Sequence, residues 1–191
     1  MQMDIHSVLV VTKDIKTSTL VKSMLIQPVF DTKIVSDFNE ARRLCSERIF
    51  NIIIVDFCDG EGTDFSIDIS SSTSTILLLV PTNLFEQISY KVESFGILTL
   101  TTPFEQFYFY NMIKIAIAVQ YKVQVLTSQT IKLKEKMEDI RLVNRAKMLL
   151  MQNLKMTEDE AHHYLEKEAM NNGKKRTEIA INIINSFTFE N

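Results

Sequence analysis

Asp56 closes an apolar run, Asn51-Ile52-Ile53-Ile54-Val55, and is therefore a carboxylate delivered to the end of a buried strand. A second run, Ser7-Val8-Leu9-Val10-Val11-Thr12, ends in a hydroxyl and is followed by Lys13 and Asp14. A carboxylate near a hydroxyl, an ammonium and a second carboxylate could act as a nucleophile toward a phosphoryl group or help to hold a hard cation. The same residues also fit a plainer arrangement, in which Asp56 pairs with Lys13 or accepts hydrogen bonds from backbone amides. Near the other end of the chain stand Lys174-Lys175-Arg176, with Arg141, Asn144, Arg145 and Lys147 upstream. Clustered cations at a helix start favour phosphate, because the helix dipole and the first-turn amides add to the charge. Each of them taken singly is a solvated surface residue. His162 and His163 have no ligand partner in the sequence and read as surface residues; Tyr164 and Phe187 read as core.

The elements that position Asp56 are short. Strands are expected at 7–12, 32–35, 51–55, 75–80 and 97–101, with helices over 16–26 and 39–50. The runs are continuous and β-branched, not alternating, as a parallel sheet covered on both faces requires. Strands interleaved with helices give a doubly wound, flavodoxin-like α/β fold with five parallel strands. In such folds the site lies at the carboxyl ends of the strands, here Thr12, Asp56, Val80 and Thr102.

After Pro103 the pattern changes. From Phe104 to Arg145 there is no Pro or Gly, and apolar or small residues recur at Met112, Ala116, Val119, Val123, Leu126, Thr130, Leu133, Met137 and Ile140, at intervals alternating between 4 and 3. That is a heptad seam, the signature of a two-stranded coiled coil. Met112 and Ala116 are expected to pack on the α/β domain, and the seam from Val119 onward to form a homodimer, with Thr130 as a register position. Helices then follow over 141–154, from the capping box Thr157-x-x-Glu160 to about 171, and from about 174. The expected domains are 1–120, 121–140 for the coiled coil and 141–191 for a small three-helix module.

Bulk properties narrow the function classes. The net charge of -3 excludes a uniformly basic polyanion binder. From Lys132 onward, however, 11 Lys/Arg face 10 Asp/Glu, so the acidic excess belongs to the first two thirds. Cys45 and Cys58 have no metal-ligand spacing. No run approaches the ~20 apolar residues of a membrane span, and the first residues lack a signal-peptide pattern. A reduced, cytoplasmic protein with no membrane association is expected.

The order of strands, helices and acids over 1–120 resembles the receiver domain of two-component response regulators. That resemblance implies an acidic pair for Mg²⁺ after the first strand, a phosphoacceptor aspartate after the third, a Thr or Ser after the fourth, and a Lys before a cis proline after the fifth. Asp56 holds the acceptor position. Thr12 and Lys13 replace the acidic pair, with Asp14 one place further on, and Val80 replaces the hydroxyl. Thr102 replaces the lysine, while Pro103 is kept and Thr102–Pro103 is expected to be cis. The implied domain is a pseudo-receiver with no cofactor, no metal and no enzymatic activity, in which Asp56 is not phosphorylated.

Residues 132–191 resemble the ANTAR domain, the output module of AmiR- and NasT-type antitermination regulators. The matching residues are Arg145-Ala146-Lys147, Leu149-Leu150-Met151, Thr157-x-x-Glu160-Ala161, Leu165, Ala169-Met170, Ile179-Ala180 and Ile183-Ile184. Met148 departs from the small residue usual there. The resemblance implies binding to hairpins in leader RNA. Arg141, Asn144, Arg145, Lys147, Lys174, Lys175 and Arg176 are the candidate contacts, and a partner protein or assembly state is the expected control. A protein–protein adaptor on the same scaffold, or a regulator phosphorylated at Asp56, are the other readings of these residues.

Overall fold

A computed structural model describes residues 5–188; the ends of the expected first and last domains, residues 1–4 and 189–191, lie outside them. The chain divides into two compact units, 1–125 and 126–191. In the first, strands β1 (His6–Val11), β2 (Phe30–Val35), β3 (Ile52–Asp56), β4 (Thr75–Pro81) and β5 (Leu98–Thr102) form one parallel sheet in the order β2-β1-β3-β4-β5. Helices α1 (Ile15–Met24), α2 (Phe38–Glu47), α3 (Glu61–Asp68) and α4 (Phe85–Val92) connect the strands. Helices α3 and α4 are not among those expected from the sequence; α3 has few apolar positions, whereas Phe85, Ile88 and Val92 of α4 do recur at helical spacing and pack on the core.

The central strands are buried on both sides, which is why they read as unbroken apolar runs. Leu9, Val11, Ile53, Val55 and Leu78 face one core with Phe38 and Phe65. Val8, Val10, Ile52, Ile54 and Leu77 face the other with Phe109, Ile113 and Ala116. Asp14 and Asp37 accept backbone hydrogen bonds at the starts of α1 and α2 and cap them.

Helix α5 (Gln106–Leu154) is continuous, so the helix expected to begin at Arg141 is its last part. Phe109, Ile113, Ala116 and Gln120 are its buried stripe in the first unit. There Thr75 Oγ1 donates to the Gln120 carboxamide at 3.1 Å and satisfies a buried polar pair. Val119 and Val123 are half-buried at the edge of that stripe, whereas Leu126, Thr130, Leu133, Met137 and Ile140 are exposed. The second unit joins the end of α5 to α6 (Glu158–Asn172) and α7 (Arg176–Thr188). Its core is Ala146, Leu150, Ala161, Leu165, Ala169, Ile179, Ala180 and Ile184, with Phe187 against it. Tyr164, expected in this core, is 38% exposed. The small core is filled by Ala161, Leu165 and Ala169, one helical turn apart, and Tyr164 falls off that stripe.

Candidate functional site

The strand ends bring Thr12 and Asp56 together. Thr12 Oγ1 donates to Asp56 Oδ2 at 2.8 Å, and the Phe57 N–H donates to Asp56 Oδ1 at 2.9 Å. Both carboxylate oxygens thus have donors within the protein. Lys13 does not pair with Asp56. Its ammonium lies 2.6 Å from Glu61, whose hydrogen bond is the main cause raising the lysine pKa. The reason is topological: Lys13 leaves β1 toward the start of α3, where Glu61 is nearer than the half-buried Asp56. Asp14 also turns away, its two oxygens accepting from Lys16 N, Thr17 N and Thr17 Oγ1.

The remaining strand-end residues are apolar or engaged. Val80 is fully buried. Thr102–Pro103 is cis, and so is Gln27–Pro28, at a proline with no expected role. The Thr102 carbonyl accepts from Thr82 Oγ1 at 3.2 Å. Beyond Asp56 the backbone turns through Cys58, Asp59 and Gly60, all at positive φ (45°, 55° and 97°), an arrangement that costs free energy at the two non-glycine positions. Gly62 then passes so close to the Asp56 carbonyl that a Cβ would lie 1.9 Å from it. Burial pushes the Cys58 thiol up, away from reactivity.

Mg²⁺ does not fit this arrangement. Asp56 is the one carboxylate facing inward with a hydroxyl donor already on it, Asp14 caps a helix, and Lys13 brings a positive charge to the same rim. Among the described residues no group of three or more His, Cys, Asp or Glu could hold a metal ion.

In the second unit, α5, α6 and the start of α7 enclose a groove of about 480 Å³. Asn144, Lys147, Lys175 and Arg176 line it, as does His162, which spacing alone leaves on the surface. A neighbouring hollow of about 340 Å³ is lined by Arg141, Asn144 and Arg145, so Asn144 borders both. Lys174 lines neither. Helix α7 begins at Arg176 rather than at Lys174, and Lys175 O accepts from Glu178 N and Ile179 N, which places Lys175 at the N-cap.

Several of these cations are already paired. Lys147, only 16% exposed, lies 2.9 Å from Glu158 and holds that carboxyl below its usual range. Arg176 lies 3.2 Å from Glu166, which also receives His162 at 3.3 Å. Arg141 lies 3.5 Å from Glu138. Arg145, Lys174 and Lys175 have no ion-pair partner among the described residues, and Asp139 is the acid that lines the groove.

Residues 132–184 match the family model for the ANTAR domain. The chain joins a receiver-like fold to an ANTAR domain. The groove and its cations belong to this ANTAR domain. The fold of the first part is similar to many solved structures, of which three serve as examples. One is a CheY-like response regulator receiver domain protein from Methanospirillum hungatei JF-1 (18% identity, TM-score 0.56, covering 62% of this chain and 98% of that one). Another is the signal receiver domain of an HD domain-containing protein from Pseudomonas fluorescens Pf-5 (15%, 0.58, 65% and 96%). The third is the receiver domain of sensor histidine kinase PA1611 from Pseudomonas aeruginosa PAO1 (18%, 0.51, 60% and 99%), which holds a magnesium ion in its active-site cleft. No curated protein matches the chain. No helix among the described residues is long and apolar enough to cross a membrane.

Proposed function

We propose that this receiver–ANTAR protein is a cytoplasmic, non-enzymatic antitermination regulator that binds leader-RNA hairpins as a homodimer. The observation that carries the reading is the groove where Asn144, Lys175 and Arg176 meet at the start of α7, within the segment that matches the ANTAR domain. First-turn amides and unpaired ammonium groups suit phosphate, and the Asn144 carboxamide suits a splayed base. The exposed seam Leu126, Leu133, Met137 and Ile140 supports the dimer, since four large apolar side chains at heptad spacing gain most by facing a second copy. Ile140 also lines the groove, which sets the seam's end beside the RNA face.

Control by phosphate is not part of the proposal. Asp56 is satisfied by Thr12 and Phe57, and the residues around it do not fit Mg²⁺. A partner protein or the state of assembly is the input in this reading. The test is a band-shift titration of a two-hairpin leader RNA at several salt concentrations. Binding that weakens steeply with salt supports the proposal. No binding to any of a panel of hairpins at low salt overturns it in favour of a protein–protein adaptor, a reading that the Lys147–Glu158 and Arg176–Glu166 pairs would then favour.

A further inference from the structure

The receiver-like unit has a hollow of its own, between the end of α1 and α5, that reaches the edge where β1 and β2 begin. His6 and Phe30, register partners, are the first residues of β1 and β2, whereas Asp56 is the last of β3. There the last turn of α1, the link to β2 and α5 between Gln106 and Tyr121 enclose about 420 Å³. That is the size of a small-ligand site, within the usual ~300–1,000 Å³, and small-ligand sites are typically apolar with a few polar groups. Leu25, Phe109 and Ile113 form a buried floor, while Ile26 and Tyr110, 68% and 57% exposed, leave apolar surface open at the rim.

The charge of the lining is one-sided. No Asp or Glu contributes to it, and its one ammonium is Lys114. Lys114 Nζ lies 5.3 Å from the centre of the Tyr110 ring and has no ion-pair partner among the described residues. Gln106 and His6 add hydrogen-bonding groups to the same lining. No arginine is present, so the forked donor geometry that suits a phosphate dianion is missing.

We propose that this hollow binds a small monocarboxylate with an apolar tail, the tail on the Leu25–Phe109–Ile113 floor and the carboxylate on Lys114. One ammonium balances one carboxylate, and the apolar floor supplies the driving force by removing the tail from water. The site is carried by α5, the helix that continues to Leu154, and no residue of it belongs to the ANTAR domain.

The test is calorimetric titration of the full chain with decanoate, below its micelle concentration, against decanol as the uncharged control. Decanoate is expected to bind one per chain and decanol up to about fivefold more weakly, the most that an ion contact at an exposed ammonium supplies. Lys114→Gln should abolish that preference and Lys114→Arg should restore it. Ile26→Glu, an exposed position where folding is not at stake, should weaken decanoate more than decanol. Absence of decanoate binding at millimolar concentration overturns the proposal, as does equal binding of acid and alcohol. Heat that depends on protein concentration also overturns it, because a second copy would then cover the hollow. RNA binding, scored separately on the same protein, has no bearing on any of these outcomes.

Discussion

Thr12 Oγ1 donates its proton to Asp56 Oδ2 across 2.8 Å, and this bond stands where the receiver resemblance calls for a carboxylate beside the acceptor. A hydroxyl there satisfies Asp56 and offers a metal little. The purified protein, treated with a small-molecule phosphodonor and Mg²⁺, is therefore expected to show no mass gain on intact-protein mass spectrometry. A gain that disappears in Asp56→Asn would show that the acceptor is active. Thr12→Val should cost about 2 kcal/mol of unfolding free energy, because the hydroxyl makes two hydrogen bonds, donating to Asp56 Oδ2 and accepting from the Asp14 N–H.

Gly62→Ala should be far more damaging. Its Cβ would fall 1.9 Å from the Asp56 carbonyl oxygen, and a backbone atom cannot step aside as a flexible side chain can. A loss on the order of 3 kcal/mol is expected in denaturant unfolding. Gly62→Ala equal in stability to wild type would mean that α3 does not approach β3 as described.

The exposed seam of α5 predicts an oligomer. Sedimentation equilibrium should give a dimer for the wild type and a monomer for the Leu133→Asp, Met137→Asp double variant, with the receiver-like unit still folded by circular dichroism. A monomeric wild type at micromolar concentration would leave those side chains without the proposed partner.

On the ANTAR face the cations should separate into two groups. Replacing Lys174 and Lys175, which have no ion-pair partner among the described residues, with Ala should weaken hairpin binding and lower the salt slope by up to about 1.4 to 1.8, since each phosphate no longer neutralised takes roughly 0.7 to 0.9 from it; Arg176→Ala, with that guanidinium held by Glu166, should lower it less. Lys147→Met should change the salt slope little, because that ammonium is mostly buried and committed to Glu158. A large slope change in Lys147→Met would reverse this assignment.

Acid should loosen the receiver-like unit through its helix caps. Asp14 accepts from the Thr17 and Lys16 amides, and Asp37 from those of Glu40 and Asn39; these bonds hold both carboxyls below their usual 3.8. Their contribution is complete above the unfolded value and is lost as pH falls through the lower folded value. Urea midpoints should therefore drop below about pH 4, and less so in an Asp14→Asn, Asp37→Asn double variant. An unchanged pH profile in that variant would assign the acid sensitivity elsewhere.

The sequence alone determined the sheet, its parallel sense and the strand-end place of Asp56, because strands buried on both faces must be continuously apolar and their ends must carry the polar residues. It also determined the capping box at Thr157 and Glu160, a local motif closed by residues three apart. Tertiary structure decided what spacing cannot encode. Lys13 went to Glu61, 48 positions away, because β3 lies beside β1 in the sheet and the turn after Asp56 starts α3 next to the end of β1. His162 joined Asn144 and Arg176 in one groove because α6 packs its Ala161–Leu165 stripe against α5 and α7, which turns the neighbouring residue toward both. Pairing with Glu158 and Glu166 then separated the committed cations from the free ones, although both groups look alike in the chain. Charge type and periodicity are properties of the chain; which charge meets which is fixed only when helices distant in sequence come within a few ångströms.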